Sequence, residues 1–425
     1  MFLLLLFIAQ SYGKMISVRV VERHGDRAPL RELPNVQIPD PLGELTQQGL
    51  NQLEKIGSKM REIYAENGIV PKQYDPRKFF FYTTHVDRTK MSQSAFAHGF
   101  FTSTSGPEDP DTKEPIFGTG LTPLPSHSVL PHNEYLLLSA SRCKNALDAI
   151  EEGQKSDSMK QYYKDNAATL NKLFNQVGTT AEGYDITDII DVLIYLNEHN
   201  LPFPGGMTKA DFDEYMKIFD YLSVTYSPVH NKKFCDAATG MFMKKLLREV
   251  SQEVNSPPSD ASSELPVFYH YHGHDWTINS VFGCLGLNNT NNPSYGSLIV
   301  IETHVDDNDQ KKVYFKFKKA LNVSKEAENL QLEEWTPKYC PAGKEYCDFD
   351  SFSKQWSPYW QQASDENWYK DVCGMAIKGS NTILVIILVV LAVVFALSLA
   401  GLIVLCVFYL KTKPEKIAGK EVTMQ

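Results

Sequence analysis

Residues 15–29 read MISVRVVERHGDRAP, an alternating, β-branched segment that runs directly into a group of charged side chains. The alternation predicts a strand over residues 15–21. The charged group that follows the strand contains Arg23, His24 and Arg27. Open α/β sheets bind their ligands at the carboxyl ends of strands, so this loop is a candidate site.

Two guanidinium groups beside an imidazole have a chemistry suited to phosphate. Arginine pairs bidentately with phosphate oxygens, and a neutral imidazole can form a phosphoramidate without a metal ion. Surface charge on a turn is the alternative, and it would be the better interpretation of two arginines alone. The complete heptapeptide of residues 23–29, RHGDRAP, favours the phosphate site.

The pattern outside this loop predicts an α/β body. It contains, in order, a helix over 46–66, a strand over 78–82, a helix to residue 101, loops over 103–133, a mainly helical stretch over 142–254, a linker over 255–264, a strand over 266–271, a helix and a hairpin. This order predicts a catalytic core in two parts, residues 14–141 and 256–378. A helical cap lobe, residues 142–255, is inserted between them, and the cleft between core and cap is where we expect the ligand.

Both ends of the chain read as separate from this body. Residues 1–13 are an apolar run followed by small residues, which predicts a cleaved signal peptide. Residues 383–410 carry no charge and exceed the roughly 20 residues with which a helix crosses a bilayer. Lysines in residues 411–425 mark that tail as cytosolic. We therefore expect a single-pass type I membrane protein whose catalytic domain is extracellular or lumenal, at the cell surface or in the lysosome.

The charge of the body limits its partners. The 425-residue chain has a formal net charge of −9, of which the tail contributes +2, so the remainder carries −11. Such a body has no basic surface for nucleic acid. It also repels anionic substrates, so an anion-binding site in it has to concentrate positive charge of its own.

Cysteines and glycosylation motifs agree with an oxidising compartment. Six of the seven cysteines precede the predicted span, which predicts three disulfides but leaves fifteen pairings open. Cys340 and Cys347 flank a short segment with Pro and Gly, which favours a local loop, and Cys406 lies within the span. Asn288 and Asn322 each begin an Asn-x-Ser/Thr acceptor.

Two further motifs accompany the heptapeptide: VDRT, which contains Arg88, and the pair His274-Asp275. Together they resemble the histidine acid phosphatase family, including its membrane-anchored members, over about residues 15–373. The resemblance implies an open, mostly parallel sheet with flanking helices, a phosphoglycerate-mutase-like core and the helical cap. It also implies a phosphoric monoester hydrolase that acts on small phosphomonoesters or phosphoproteins, and a capacity to form a homodimer.

The resemblance implies a role for each matched residue. His24 is implied as the nucleophile and Asp275 as the proton donor. The implied phosphate-binding residues are Arg23, Arg27, Arg88 and His274. Neither a cofactor nor a metal ion is implied.

The resemblance bears on the disulfides too. It implies that Cys143 pairs with Cys373. With Cys340 and Cys347 in a local loop, Cys235 and Cys284 remain as the third pair.

The chain departs from the family pattern at two places. Where relatives commonly have R-S-T-D before the VDRT motif, residues 82–85 read YTTH and lack a basic and an acidic side chain. His272 stands where a small residue is common. The core set is complete, while substrate preference and pH optimum stay open.

Two alternatives come from other functional classes. His270, His272 and His274 alternate along the chain, and His-x-His is a zinc-ligand spacing, which allows a zinc-dependent hydrolase. That interpretation leaves the arginines unexplained, and the strand is expected to end near Tyr271. The other alternative is a receptor or adhesion ectodomain of the same fold with weak catalysis, which the presence of both His24 and Asp275 disfavours.

Overall fold

The computed structural model describes most of the chain and divides it into two compact units, Met1–Met375 and Ala376–Gln425. The described residues are 13–71, 75–101, 124–180, 183–225, 231–258, 263–286, 291–306, 312–341, 344, 346–360, 367–374 and 380–412. Nearly all of the predicted signal peptide, most of the predicted cytosolic tail and the predicted glycosylation site Asn288 lie outside these residues.

The described residues of the first unit form eight strands and eleven α-helices. The strands are β1 (Lys14–Arg23), β2 (Phe79–Thr83), β3 (Ser126–His127), β4 (Phe268–Gly273), β5 (Leu298–Val305), β6 (Val313–Ala320), β7 (Glu333–Trp335) and β8 (Cys347–Asp348). The helices are α1 (Gln47–Glu66), α2 (Asp87–Phe101), α3 (Lys144–Gln154), α4 (Asp157–Asp165), α5 (Ala167–Val177), α6 (Ile186–Glu198), α7 (Lys209–Thr225), α8 (Lys232–Asn255), α9 (Asp275–Cys284), α10 (Phe349–Trp360) and α11 (Asn367–Cys373).

All eight strands belong to one sheet in the order β3-β2-β4-β1-β5-β6-β7, with β8 also paired to β6. The pairs from β3 to β1 are parallel, and the pairs from β1 to β7, together with β6–β8, are antiparallel. The prediction of a mostly parallel sheet is therefore wrong, although the α/β class is confirmed. Within the described residues no α-helix lies between β5, β6, β7 and β8, and strands that are joined without a helical crossover form antiparallel pairs.

Helices α1 and α2 cover one face of the sheet and contact each other closely. The side-chain oxygen of Thr46 caps α1 by accepting a hydrogen bond from the amide of Gly49 at 3.0 Å. Gly57 on α1 and Gly99 on α2 lie at the contact, where an added Cβ on either would come within about 2.0 Å of a backbone oxygen on the other helix. This pair of helices buries the apolar residues of β1, β2 and β4 on that face.

The other face of the sheet packs against α3, α8, α9 and α10. Helices α3 and α8, which were predicted within the cap lobe, therefore contribute to the core of the sheet. Helices α5, α6 and α7 bury their apolar side chains mainly in separate clusters. Within the stretch predicted as mainly helical, α4 and α5 are separated at Asn166, whose side-chain amide donates to the carbonyl of Tyr162 at 2.9 Å.

The disulfides connect these layers. The structure links Cys143 to Cys373, Cys235 to Cys284 and Cys340 to Cys347, which are the three pairs expected from the sequence and the family resemblance. The second of these pairs joins α8 to α9, the helix that begins at Asp275.

The second unit contains helix α12 (Ser380–Lys411). Its segment Leu388–Phe408 is the one stretch within the described residues that is long and apolar enough to cross a membrane by length and composition. Cys406 lies on this helix.

Candidate active site

The site forms where β1 and β4 end side by side. The two strands are parallel, and their register places Arg23 opposite Gly273. The amide of His24 donates to the carbonyl of Gly273 at 3.0 Å, so the residues that follow each strand are held together. The rings of His24 and His274 consequently lie 5.4 Å apart, centroid to centroid. The strands thus bring together residues that are 250 positions apart in the sequence.

His24 is buried and oriented by its own backbone. Its Nδ1 lies 2.9 Å from the carbonyl oxygen of Gly25, which can only accept a hydrogen bond. Nδ1 therefore carries the proton, and Nε2 is left with the free electron pair. Burial, followed by the positive charge of Arg88 and Arg23, holds the pKa of His24 well below its ordinary value. Burial and these charges therefore favour the neutral form of the ring.

Three arginines surround this ring. Arg23 donates to Asp275 Oδ2 at 3.1 Å and to the carbonyl of Pro293, and its guanidinium lies 4.3 Å from the centre of the Tyr295 ring. Arg27 donates to Asp191 Oδ2 on α6 at 2.9 Å. These contacts hold both guanidinium groups in place before any ligand arrives.

Arg88 and His274 form the other side of the site. Arg88 Nη2 lies 3.5 Å from His274 Nδ1, and Thr84 Oγ1 lies 2.9 Å from His274 Nε2. Burial lowers the pKa of Arg88 to about 10, with a further contribution from the charge of Arg27. Burial and the charge of Arg88 lower the pKa of His274 to about 3. His274 is thus a neutral side chain, and Arg88 stays charged.

Asp275 is the first residue of α9 and faces both Arg23 and the helix amides. Its Oδ1 accepts from the amide of Trp276 at 2.7 Å. Burial alone would raise the pKa of Asp275, but the charge of Arg23, the hydrogen bond from the Trp276 amide and the charge of Arg27 together outweigh burial, and the pKa lies below its usual range. The carboxyl group is therefore ionised in the unliganded site.

A cavity of about 510 Å³ opens over these groups. All six predicted site residues line it, namely Arg23, His24, Arg27, Arg88, His274 and Asp275. Helix α6 contributes Asp188 and Asp191 to its wall, and α9 contributes Trp276 and Asn279. The cavity therefore extends from the sheet toward helix α6, which belongs to the predicted cap.

Several residues that hold the site in place were not predicted. Thr84 orients His274, Tyr295 contacts Arg23, and Asp191 fixes Arg27. Asp26 accepts hydrogen bonds from Thr46 at 2.5 Å and from His199 Nε2 at 2.7 Å. Asp26 lies inside the heptapeptide, where its acidic side chain among basic ones was a usable signal, but its partners come from distant parts of the chain.

The histidines of the predicted zinc alternative do not converge. His270 and His272 lie within β4, which extends to Gly273 and not only to Tyr271 as expected. Their nearest acidic group is Glu22 of β1, whereas His274 faces Thr84 and Arg88. The parallel pairing with β1 and β2 extends β4 through these polar residues.

Asn322, the predicted glycosylation site within the described residues, is exposed.

The parallel strands of the sheet end at a buried histidine that three arginines surround. This arrangement defines a class of α/β proteins that bind an anion beside a histidine. The model of the histidine phosphatase superfamily (branch 2) matches residues 30–319, a range that begins directly after the heptapeptide. This match covers more than half of the chain. The chain therefore belongs to the histidine phosphatase superfamily, branch 2.

Individual relatives agree with the family. A lysosomal acid phosphatase of Xenopus laevis is 27% identical over 68% of this chain and 66% of that protein. A lysosomal acid phosphatase of Rattus norvegicus is 23% identical over 87% of this chain and 86% of its own length. The apo form of Hafnia alvei phytase has the same fold, with a TM-score of 0.60 at 17% identity over 84% of this chain and 99% of that one. The predicted family and its phosphatase function are confirmed.

Proposed function

We propose that this chain is an acid phosphatase that hydrolyses phosphate monoesters through a phosphohistidine at His24. One observation carries the proposal: the Gly25 carbonyl accepts a hydrogen bond from His24 Nδ1, which leaves the electron pair of the ring on Nε2. The site therefore presents a neutral, oriented nucleophile. Positive charge from three arginines compensates the body's net negative charge at the place where phosphate would bind.

The reaction would proceed in two displacements. In the first, the electron pair of His24 Nε2 attacks phosphorus, the P–O bond to the leaving group breaks, and Asp275 gives its proton to the departing oxygen. In the second, Asp275 takes a proton from water, whose oxygen attacks phosphorus and breaks the P–N bond. Inorganic phosphate leaves, and Nε2 regains its electron pair.

The remaining residues would bind the phosphoryl group. Arg23, Arg27 and Arg88 carry charge that matches its oxygens. His274 is neutral, with its Nε2 at Thr84 and its Nδ1 facing Arg88, so it would orient Arg88 toward an oxygen of the substrate. No step requires a metal ion.

The placement of the enzyme in the cell is part of the proposal. The apolar helix α12 fits a single membrane span, with the catalytic domain lumenal or extracellular. Two relatives are named lysosomal acid phosphatases, which supports a lysosomal or secreted-pathway location. Small phosphomonoesters are the proposed substrates, with phosphoproteins as a further class, and a homodimer is proposed from the family resemblance alone.

Turnover of p-nitrophenyl phosphate by the purified full-length chain tests the proposal. We expect hydrolysis in mild acid that is lost in His24→Ala and kept in His132→Ala, an exposed histidine outside the site. A folded wild-type chain with no turnover on aryl or alkyl phosphates would support the receptor or adhesion alternative instead.

A further inference from the structure

A second polar cluster lies on β1 and β4, two residues before His24 and His274. Glu22, His270 and His272 are all fully buried, and we refer to these three residues as the Glu22 cluster. The register pairs Glu22 with His272 across the two strands. His270 and His272 alternate on β4 and therefore share one face of the sheet. One ligand atom from each residue lies within 4.8 Å of the others.

The polar atoms of the Glu22 cluster are poorly satisfied by protein. Glu22 Oε2 lies 2.7 Å from His270 Nε2 and 3.5 Å from His272 Nδ1. Within the described part of the chain, Glu22 Oε1, His270 Nδ1 and both ring nitrogens of His272 have no hydrogen-bond partner. Leaving a buried polar atom unpaired costs about 1–3 kcal/mol. Four such atoms in one place require a bound species that the protein atoms do not supply.

The residues around the Glu22 cluster do not supply partners for these polar atoms. The ring of Phe96 stacks on His270 at 4.0 Å between centroids, and Phe81 meets the same ring edge-on at 5.6 Å. Both phenylalanines belong to the apolar layer beneath α1 and α2. Because the Glu22 cluster lies in this apolar layer, solvent does not hydrate it. Its polar side chains therefore have a role inside the protein.

We propose that Glu22, His270 and His272 bind a divalent transition-metal ion, with Zn²⁺ as the best match. Two imidazole nitrogens and one carboxylate oxygen are a common zinc ligand set. Bonds of about 2.0 Å place neighbouring ligand atoms of a tetrahedral site roughly 3.3 Å apart, close to the spacing already present. Glu22 Oε1 or a water molecule would complete the shell.

This site differs from the zinc alternative considered from the sequence. Its third ligand is Glu22 rather than His274, and it departs from the expectation of a metal-free protein. The ion would connect the ends of β1 and β4, from which His24 and His274 project, and would take no part in bond breaking. Because the Glu22 cluster is fully buried, the ion has to be incorporated during folding.

Metal content of the full-length chain, purified in detergent from zinc-supplemented cells, tests this proposal. After a brief chelator wash that removes surface ions, we expect one zinc per chain in the wild type. The matched control is His304→Gln, which alters another buried Glu–His pair, on β5. His304→Gln should keep the zinc, and His272→Ser and Glu22→Gln should lose it.

X-ray absorption at the zinc edge keeps the test decisive if a cluster variant does not fold. The wild type should show a shell of nitrogen and oxygen with imidazole scattering and no sulfur. A wild-type chain without stoichiometric metal, equal zinc in a folded His272→Ser variant, or a sulfur shell would each overturn the proposal. Metal content is independent of turnover, so a bound zinc in an inactive chain would contradict only the proposed phosphatase.

Discussion

Asp275 is ionised in the unliganded site, although its proposed task is to deliver a proton. Arg23 lies 3.1 Å from its carboxylate and lowers its pKa. A phosphate group entering the site would compete for Arg23 and add negative charge beside the carboxylate. Both effects raise the affinity of Asp275 for a proton. Asp275 would therefore carry the proton that it has to deliver only when substrate is bound.

Replacement of Asp275 by asparagine separates proton donation from simple support of the site. Asn keeps the size and some hydrogen bonding but has no proton to deliver. For Asp275→Asn we expect kcat on alkyl phosphates to fall about 100-fold or more, because an alkoxide needs protonation to leave. The fall on p-nitrophenyl phosphate should be clearly smaller. The measurement is kcat across esters of graded leaving-group pKa, where enzyme phosphorylation limits the rate.

The control for this series is Asp148→Asn, which alters an ion pair with Lys144 on α3, outside the cavity. It should leave every ester unaffected. If Asp275→Asn lowered kcat by one factor on all esters, Asp275 would only hold the architecture, and the proton would have to come from another group.

The pair His199–Asp26 predicts a pH-dependent stability. The hydrogen bond to Asp26 raises the pKa of His199 above its ordinary value. A raised pKa in the folded state means that the charged pair stabilises fully below about pH 6.5 and is lost as pH rises through the folded value. His199→Gln should therefore lower the free energy of unfolding by about 1.5–3 kcal/mol near pH 5. Near pH 9, the free energies of unfolding of His199→Gln and the wild type should differ by less.

Thermal denaturation of both proteins across that range is the check. His132→Gln, at an exposed histidine, is the control and should change nothing. A deficit that does not vary with pH would show that His199 is neutral in the folded protein.

The residues proposed for the site could be read from the sequence where they are neighbours in the chain. Arg23, His24 and Arg27 were readable because one loop contains them. Arg88, His274 and Asp275 required the family resemblance, since only the strand pairing brings them to that loop. Thr84, Tyr295 and Asp191 act through contacts between distant segments. Glu22 was missed because one acidic residue in an alternating strand is usually a solvent-facing position.

Among the elements, the contact between α1 and α2 is the most constrained. A Cβ added at Gly57 would lie 2.0 Å from the carbonyl oxygen of Phe96, a backbone atom that cannot move alone. Gly57→Ala should therefore destabilise the chain by about 1–3 kcal/mol through overpacking. Gly153, on α3, has nothing within 4 Å of an added Cβ. Gly153→Ala should instead stabilise by about 0.5–1 kcal/mol.

Chemical denaturation of the two glycine variants beside the wild type measures both effects. Equal stability of Gly57→Ala and the wild type would mean that the helices can separate without loss. In that case the close contact would not be what holds α1 against the sheet.

Element boundaries were predictable where local chemistry sets them. Thr46 marks the start of α1 because its side chain caps the helix, and the apolar period of 3.6 continues to Glu66. The end of β4 was predicted two residues early, since His272 and Gly273 have no strand signal of their own and are extended by pairing with β1. The predicted hairpin corresponds to the antiparallel pair of β5 and β6, but the antiparallel pairing of β5 with β1 was not predicted, because the direction in which distant strands pair is not encoded locally.

At the scale of the whole molecule, the acidic body and the basic site serve different purposes. A net charge of −9 favours hydration of the protein surface and does not attract anions to it. The three arginines place positive charge around His24 in a cavity of about 510 Å³. The proposed selection of phosphate would therefore depend on that cavity alone. The composition could predict that such a cavity is needed, but it could not predict the shape of the cavity.

The covalent phosphohistidine is the central claim, and trapping it is the most direct test. The full-length chain should be mixed with a radiolabelled phosphate ester, quenched in alkali during turnover, digested and mapped by mass spectrometry. We predict one phosphoryl group on His24, stable in alkali and released in acid, and none in His24→Ala. Label on any other residue, or substantial turnover by a folded His24→Ala chain, would contradict the account.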